Sequence, residues 1–415
     1  MRVNFSLCEI YQPPPNKSWV DVVFYLLVAS LPLENILANA LGIEFSPSRV
    51  IALLFIAAVY SSIYKNNTFI FPYIIICITV PILISGIHAI ASDYTDGFPN
   101  LLRMVLNVFI LLATYKYTLE RWQQIVPALL VFLFMIHLTS IVTIIYFGSG
   151  ILYLDERLRY LDLDPNNIGL FASLGLIVSV VLLGTSLINS RIKFLLGALS
   201  LSNTLIIVSV ASRTALMVPI LTGIYYIIVS GSRTLLIKIF LLLAIFGFVV
   251  YVGWNYSEIA QDRWNRTFNE SAINKYGNRD IVFEAALDLI SQKPILGWGE
   301  SDGLRALGSS LNFRRFGTHN SFLFFLLTSG ILGLITFVLF LYYPFAQWGR
   351  LKYNNEYIIL STFIVFNIFA LNSLDWHLSK HLWLFYGCFI GIHKLLCASN
   401  ILYLPSYSKN AIVPK

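Results

Sequence analysis

From Trp19 onward one pattern recurs along this sequence: a long apolar stretch, a short polar break, then another apolar stretch. A hydrocarbon core about 30 Å thick takes roughly 20 apolar residues per crossing helix. Runs such as 168–187 and 235–252 have that length and are apolar on every face. With 57% hydrophobic and only 12% charged residues, a water-soluble globular fold is excluded. An outer-membrane barrel would show short segments of alternating polarity, which these runs are not. The sequence therefore reads as an all-α, polytopic membrane protein, a single integral domain over residues 1–415. About 12 transmembrane helices are expected, at 19–40, 48–64, 69–92, 100–117, 125–147, 167–188, 193–211, 214–230, 234–253, 319–345, 357–373 and 380–398. The residues before Trp19 contain an acid and three consecutive prolines, which is not the layout of a cleavable leader, so the first helix is expected to serve as its own insertion signal.

Charge orients these spans. An even number places both termini on one side, and that side and its loops hold 14 of the 28 Lys and Arg against four acids: Glu9, Asp21, Glu120 and Glu356. The other side holds the remaining 14 cations and 17 of the 21 acids. The positive-inside rule makes the cation-rich, acid-poor side cytoplasmic. The net charge of +7 then follows from topology, and no long polybasic run suggests a nucleic-acid partner.

In this orientation residues 255–318 become one large loop on the outer, periplasmic side, far longer than its neighbours. Long loops in compact proteins usually carry function or disorder. This one contains an expected amphipathic helix, NRDIVFEAALDLISQKP, with Ile281, Val282, Ala285, Ala286, Leu289 and Ile290 on one face and Asp280, Glu284, Asp288 and Gln292 on the other. Asn278 suits the N-cap, Pro294 stops the helix, and ILGWGESDG makes a glycine-rich turn. The apolar face is expected against the membrane surface or the helix bundle. A shorter charged segment, 153–167, lies on the same side and is expected to share a vestibule with the loop.

Several chemistries find no support. Cys8, Cys77, Cys388 and Cys397 form no disulfide framework or metal-binding spacing. No HExxH, GxxxxGK[ST] or GxSxG motif occurs, so no metal, nucleotide or other cofactor is expected. Glu284 and Asp288, four apart, read as a solvated helix face before they read as a paired-carboxylate site. No internal repeat of the kind common in secondary transporters is visible.

Three side chains carry the chemical case. Arg213 lies between two apolar runs on the outer side, where topology gives no reason for a cation. It is either a snorkelling helix-end residue or an anion ligand, and the anion ligand is the reading taken. Arg279 opens the loop helix, so its guanidinium and the first helical amides can meet one anion, against the plainer alternative of a salt bridge with Asp280. His319 begins an apolar run in RRFGTHNSFLFF; it is an interfacial or capping residue, or a general base beside an aqueous vestibule. The base is the reading taken.

These residues sit within segments that resemble a known family. SRTA at 212–215 after a span, NRDIVFEAALDLISQKPILGWG at 278–299 and GTHNSFLFFLLTSGILG at 317–333 are similar, in that order, to the O-antigen ligase and polymerase family of bacterial inner-membrane glycosyltransferases. The resemblance covers about residues 205–345, with DPNNIG at 164–169 also similar. Where many relatives place Trp four residues after the loop Arg, this chain has Phe283.

The resemblance implies a metal-independent transferase at the periplasmic face, with no cofactor, that takes a glycan from undecaprenyl diphosphate. A ligase passes it to lipid A-core; a polymerase passes it to another lipid-linked glycan. Carried over, the family's essential residues correspond to Arg213, Arg279 and His319. Arg314, Arg315 and Asn320 are expected as substrate-binding residues, the two arginines meeting an acidic core sugar, a phosphate or only the bilayer surface. Guanidinium groups would stabilise charge on the leaving diphosphate and His319 would take the proton of the acceptor hydroxyl. With no candidate nucleophile, a single inverting displacement is expected. Ligase is taken first and polymerase second; a flippase for lipid-linked glycans and a noncatalytic scaffold are the competing readings.

Overall fold

The computed structural model describes residues 18–34, 46–62, 72–92, 97–147, 165–230, 279–313, 316–346, 354–372, 374 and 376–403, with scattered positions between 244 and 265. Among these residues the chain is helical throughout its regular structure, as expected. The helices are α1 (Trp19–Ser30), α2 (Pro47–Ser62), α3 (Pro72–Ala91), α4 (Phe98–Arg121), α5 (Ile125–Phe147), α6 (Pro165–Leu183), α7 (Ser190–Val210), α8 (Arg213–Ser230), α9 (Arg279–Gln292), α10 (Glu300–Ser310), α11 (Ser321–Tyr342), α12 (Asn355–Leu371) and α13 (Lys380–Tyr403).

Six helical stretches are long and apolar enough to cross a membrane, one of them the continuous pair α4–α5; α1, α2 and α12 are shorter apolar helices. Three quarters of the expected span 234–253 lies outside the described residues. Helix α13 has the length of a span but carries Lys380, His381, His393 and Lys394. It tolerates them because it runs through the middle of the bundle, packed along α4 and against α12, with His381 and His393 buried.

Polar side chains fix the helix ends. Ser18 and Asp21 make a capping box at the start of α1. The buried Asp21 carboxylate also accepts from the Tyr117 hydroxyl at 2.8 Å and pairs with Arg121 at 3.1 Å, tying α1 to the far end of α4. The start of α1 and the end of α4 thus mark one end of the bundle.

At the opposite end, α9 and α10 form a cap over α11 and α3. The loop helix occurs where the amphipathic pattern predicts it; Val282, Ala286 and Ile290 are buried against α11, while Ile281, expected on that face, is exposed. The start of α10 is pinned to the α3–α4 turn: Ser301 accepts from the Gly97 amide at 2.8 Å, Ser92 donates to Asp302 at 2.7 Å and Asn100 donates to Glu300.

The expected uninterrupted span 319–345 is broken. Gly330, at φ 64° and ψ −166°, interrupts α11 in a backbone region only glycine occupies without strain. The amides and carbonyls freed by the break are recovered by the segment after α9. Trp298 and Gly299 donate to the Leu327 and Thr328 carbonyls, both at 2.9 Å, and Ile331 donates to the Pro294 carbonyl at 2.9 Å. Irregular backbone at membrane depth is tolerated only where protein supplies such partners. The glycine-rich turn is therefore a backbone splint for a broken helix.

Candidate functional site

At the same end as α9 and α10 lies a cavity of about 400 Å³, among whose lining residues are Glu34 after α1, Arg49 in α2, Arg103 and Asn107 in α4, Asn167 in α6, His319 before α11, and Lys380 and His381 opening α13. Several helices begin at this cavity, α2, α6 and α13 among them, so the positive ends of their dipoles add to the field of the side chains.

His319 lies in a tight turn. Its backbone is left-handed at φ 50°, an uncommon conformation for a residue with a side chain. The Thr318 hydroxyl donates to the Asn320 carbonyl at 2.9 Å, bracing the turn, and the Asn320 side chain accepts from the Phe322 and Leu323 amides at 2.9 and 3.0 Å, starting α11. The ring meets Phe316 edge-on at 5.6 Å. Partly exposed and facing the cavity, the imidazole can exchange a proton with a group lodged there.

A hydrogen-bonded chain ties this turn to the far wall. Ser321 donates to the Leu374 carbonyl at 2.9 Å and meets His377 Nδ1 at 3.0 Å, and Trp383 Nε1 donates to the His377 carbonyl at 2.6 Å. Asn107 Nδ2 donates to the Leu378 carbonyl at 3.1 Å. His377, in the turn between α12 and α13, is fully buried against Phe324 and Phe325, and burial pushes its imidazole down to about 3. It is a neutral strut.

The charged residues of the cavity were not singled out from the sequence. Lys380 donates to Glu34, and to Ser48 at 3.2 Å. Arg103 donates to Asn100 at 3.3 Å, and the Arg49 charge acts on both Arg103 and Lys380. His381 Nε2 is 3.1 Å from Asn367 Oδ1, its ring 5.0 Å from that of Phe171.

Of the residues chosen from the sequence, His319 lines the cavity. Arg213 is the first residue of α8, directly after Ser212, whose hydroxyl donates to Asn166 at 2.9 Å beside the cavity residue Asn167. It therefore stands at the same end of the bundle without being part of the lining. Arg279 heads α9 and is exposed, also outside the lining. Asn320 is engaged as a helix cap, its Nδ2 donating to the Asn372 carbonyl at 3.3 Å. Arg314, Arg315, Asn278 and the segment 153–164 lie outside the described residues.

No match was found among curated proteins. Residues 196–338 match a family described as O-antigen ligase, a stretch that runs from α7 through the broken α11 and includes Arg213, Arg279 and His319. That stretch is about a third of the chain, and over it the sequence is similar to the O-antigen ligase family.

Proposed function

We propose that this protein transfers a glycan from a polyprenyl diphosphate carrier, undecaprenyl diphosphate, to a sugar hydroxyl held at the cavity. The observation that carries the reading is the placement of His319: a base-competent imidazole inside the family-matched stretch, on the wall of a cavity that also presents Arg49, Arg103 and Lys380. An acceptor hydroxyl is a poor nucleophile while protonated, and His319 takes that proton as the oxygen attacks the anomeric carbon. The bond to the carrier breaks with its electrons left on the diphosphate, where cationic groups stabilise the charge. Arg213 and Arg279, at the same end, are assigned to that task, and Arg314 and Arg315 to contacts with substrate. Asn320 holds the His319 turn. No metal takes part in this scheme, and the single displacement inverts the anomeric carbon.

The site faces the periplasm, in a protein of about twelve spans with both termini cytoplasmic, in the bacterial inner membrane. Attachment to lipid A-core is the reaction assigned, ahead of polymerisation of repeat units for O-antigen, capsule or exopolysaccharide. A transporter would use the ends of a broken helix to bind its cargo. In α11 those ends are already bonded to residues 294–299, which favours the transferase over the flippase.

Purified protein supplied with lipid-linked glycan and acceptor is expected to release the diphosphate carrier without an ion gradient, and His319→Ala to stop that release. Gradient-dependent movement of intact donor with no release would reverse the assignment. In cells lacking the protein, full-length glycan stranded on its carrier marks a ligase, and single repeat units on the surface mark a polymerase.

A further inference from the structure

The geometry points to a single seat for a diphosphate-ester headgroup made by Arg49, Arg103 and Lys380, with Glu34 as the counter-ion that holds Lys380 while the seat is empty. This deepens the function proposed above and rests on it. None of the three cations lies in the family-matched stretch 196–338. They come from three helices, α2, α4 and α13, yet line one cavity with His319.

Three features argue for an anion of this class. The cations line one cavity, where Arg49 acts on Arg103 and Lys380, offset in part by Glu34 and, at Arg103, by Glu300. Gathering like charges at membrane depth is costly, and a bound anion converts that cost into binding. Second, the Lys380 side chain is only 6% exposed, and its ammonium points to Glu34 and Ser48 beside the cavity. Third, three cations stand against one carboxylate among the lining residues, an excess of positive charge. A diphosphate esterified at both ends carries two negative charges, one on each phosphorus, and it gains a third when the glycan departs. That excess suits the donor, and its pull strengthens as the bond to the sugar breaks, with Arg213 and Arg279 adding to it from outside the lining.

Two arginines suit this ligand better than lysines would, since the guanidinium fork meets two phosphoryl oxygens at once. Lys380 adds a point charge. When the diphosphate arrives, its oxygens compete with Glu34 for the ammonium.

The test uses full-length protein in phosphatidylcholine nanodiscs, with undecaprenyl diphosphate as the probe and thermophoresis as the readout. Inorganic pyrophosphate, undecaprenyl monophosphate and glucose 1-phosphate serve as competitors. Arg49→Gln and Arg103→Gln are each expected to weaken binding at least tenfold, and Arg103→Lys less. Lys380→Gln alone strands Glu34, so it is made together with Glu34→Gln, which removes the pair. That double variant should also bind at least tenfold more weakly, whereas Glu34→Gln by itself should bind severalfold more tightly. Pyrophosphate should displace the probe better than either monophosphate. Elution volume and melting temperature qualify each variant as folded, and the charge-conserving Arg49→Lys and Arg103→Lys carry the test where a Gln variant does not fold. Wild-type affinity in the folded variants, or equal displacement by glucose 1-phosphate, overturns the seat. If wild-type protein transfers glycan while those variants bind normally, the seat falls and the transferase reading stands. If the variants lose the probe but the wild type transfers nothing, the seat stands and the transferase reading falls.

Discussion

Gly297 and Gly330 press backbone to backbone: a Cβ on Gly297 would lie 2.7 Å from the Gly330 amide nitrogen and 2.6 Å from the Thr328 carbonyl carbon. Both have positive φ, 71° and 64°. A side chain on Gly330 would collide in turn with the Ile295 carbonyl. Residues separated by a whole helix and a loop are thus matched like two halves of a joint, and α9, headed by Arg279, is locked to the helix that His319 precedes.

Gly330→Ala is therefore expected to lower stability by about 1–3 kcal/mol through backbone strain alone, with the collision adding to it. Gly86→Ala supplies the control, since Gly86 is helical and a Cβ there meets nothing within 4 Å. That change should be neutral or stabilising by up to about 1 kcal/mol. Thermal unfolding in detergent compares them; equal melting temperatures for the two variants would remove the joint from the account.

Asn320→Ala removes the acceptor for two amides at the start of α11. Cap loss costs about 1 kcal/mol. Because the same cap fixes the turn that carries His319, glycan transfer should fall by more than the folded fraction does. Asn320→Asp, which keeps a capping oxygen, should restore most of the activity. Transfer rates normalised to folded protein read the difference.

His377 gives the fold a pH dependence whose sign can be stated. Burial holds its imidazole down to about 3, whereas an unfolded histidine titrates near 6.5. Between those values the unfolded chain binds the extra proton, so the contribution is intact above about pH 6.5 and is lost as pH falls. His377→Gln should flatten the decline of melting temperature between pH 6.5 and 4 relative to wild type. Parallel curves for the two proteins would contradict the burial of a neutral imidazole.

Asp21→Asn should act at the other end of the bundle. It removes the carboxylate charge that Arg121 pairs with and weakens the bond from Tyr117. Breaking a buried pair by removing one partner costs about 3–5 kcal/mol, and partial exposure of Arg121 puts this case at the low end. Melting temperature should drop while the transfer rate of the folded fraction at low temperature stays unchanged, since Asp21 and the cavity lie at opposite ends of α1.

How far the sequence reached depends on whether a feature is local. The loop helix was legible because its apolar period, Val282, Ala286 and Ile290, is written in consecutive residues. His319 was legible as a histidine where a span begins. The break in α11 was not, because Gly330 reads like any glycine in an apolar run until Pro294–Gly299 is brought beside it. Arg49, Arg103 and Lys380 were overlooked although a signal existed: each is a cation at or inside the start of a span expected to begin on the outer side, the argument used to pick out Arg213. Dispersed over more than 300 positions, they acquire a common meaning only when α2, α4 and α13 converge.

Helix α13 contributes both Lys380 and His381 to the cavity and fills the groove along α4, yet it is made late in the chain. During synthesis the earlier helices enter the bilayer with that wall missing. The pocket is thus closed by a segment that leaves the ribosome after every other part of its wall, and a chain made only as far as α12 has no finished cavity.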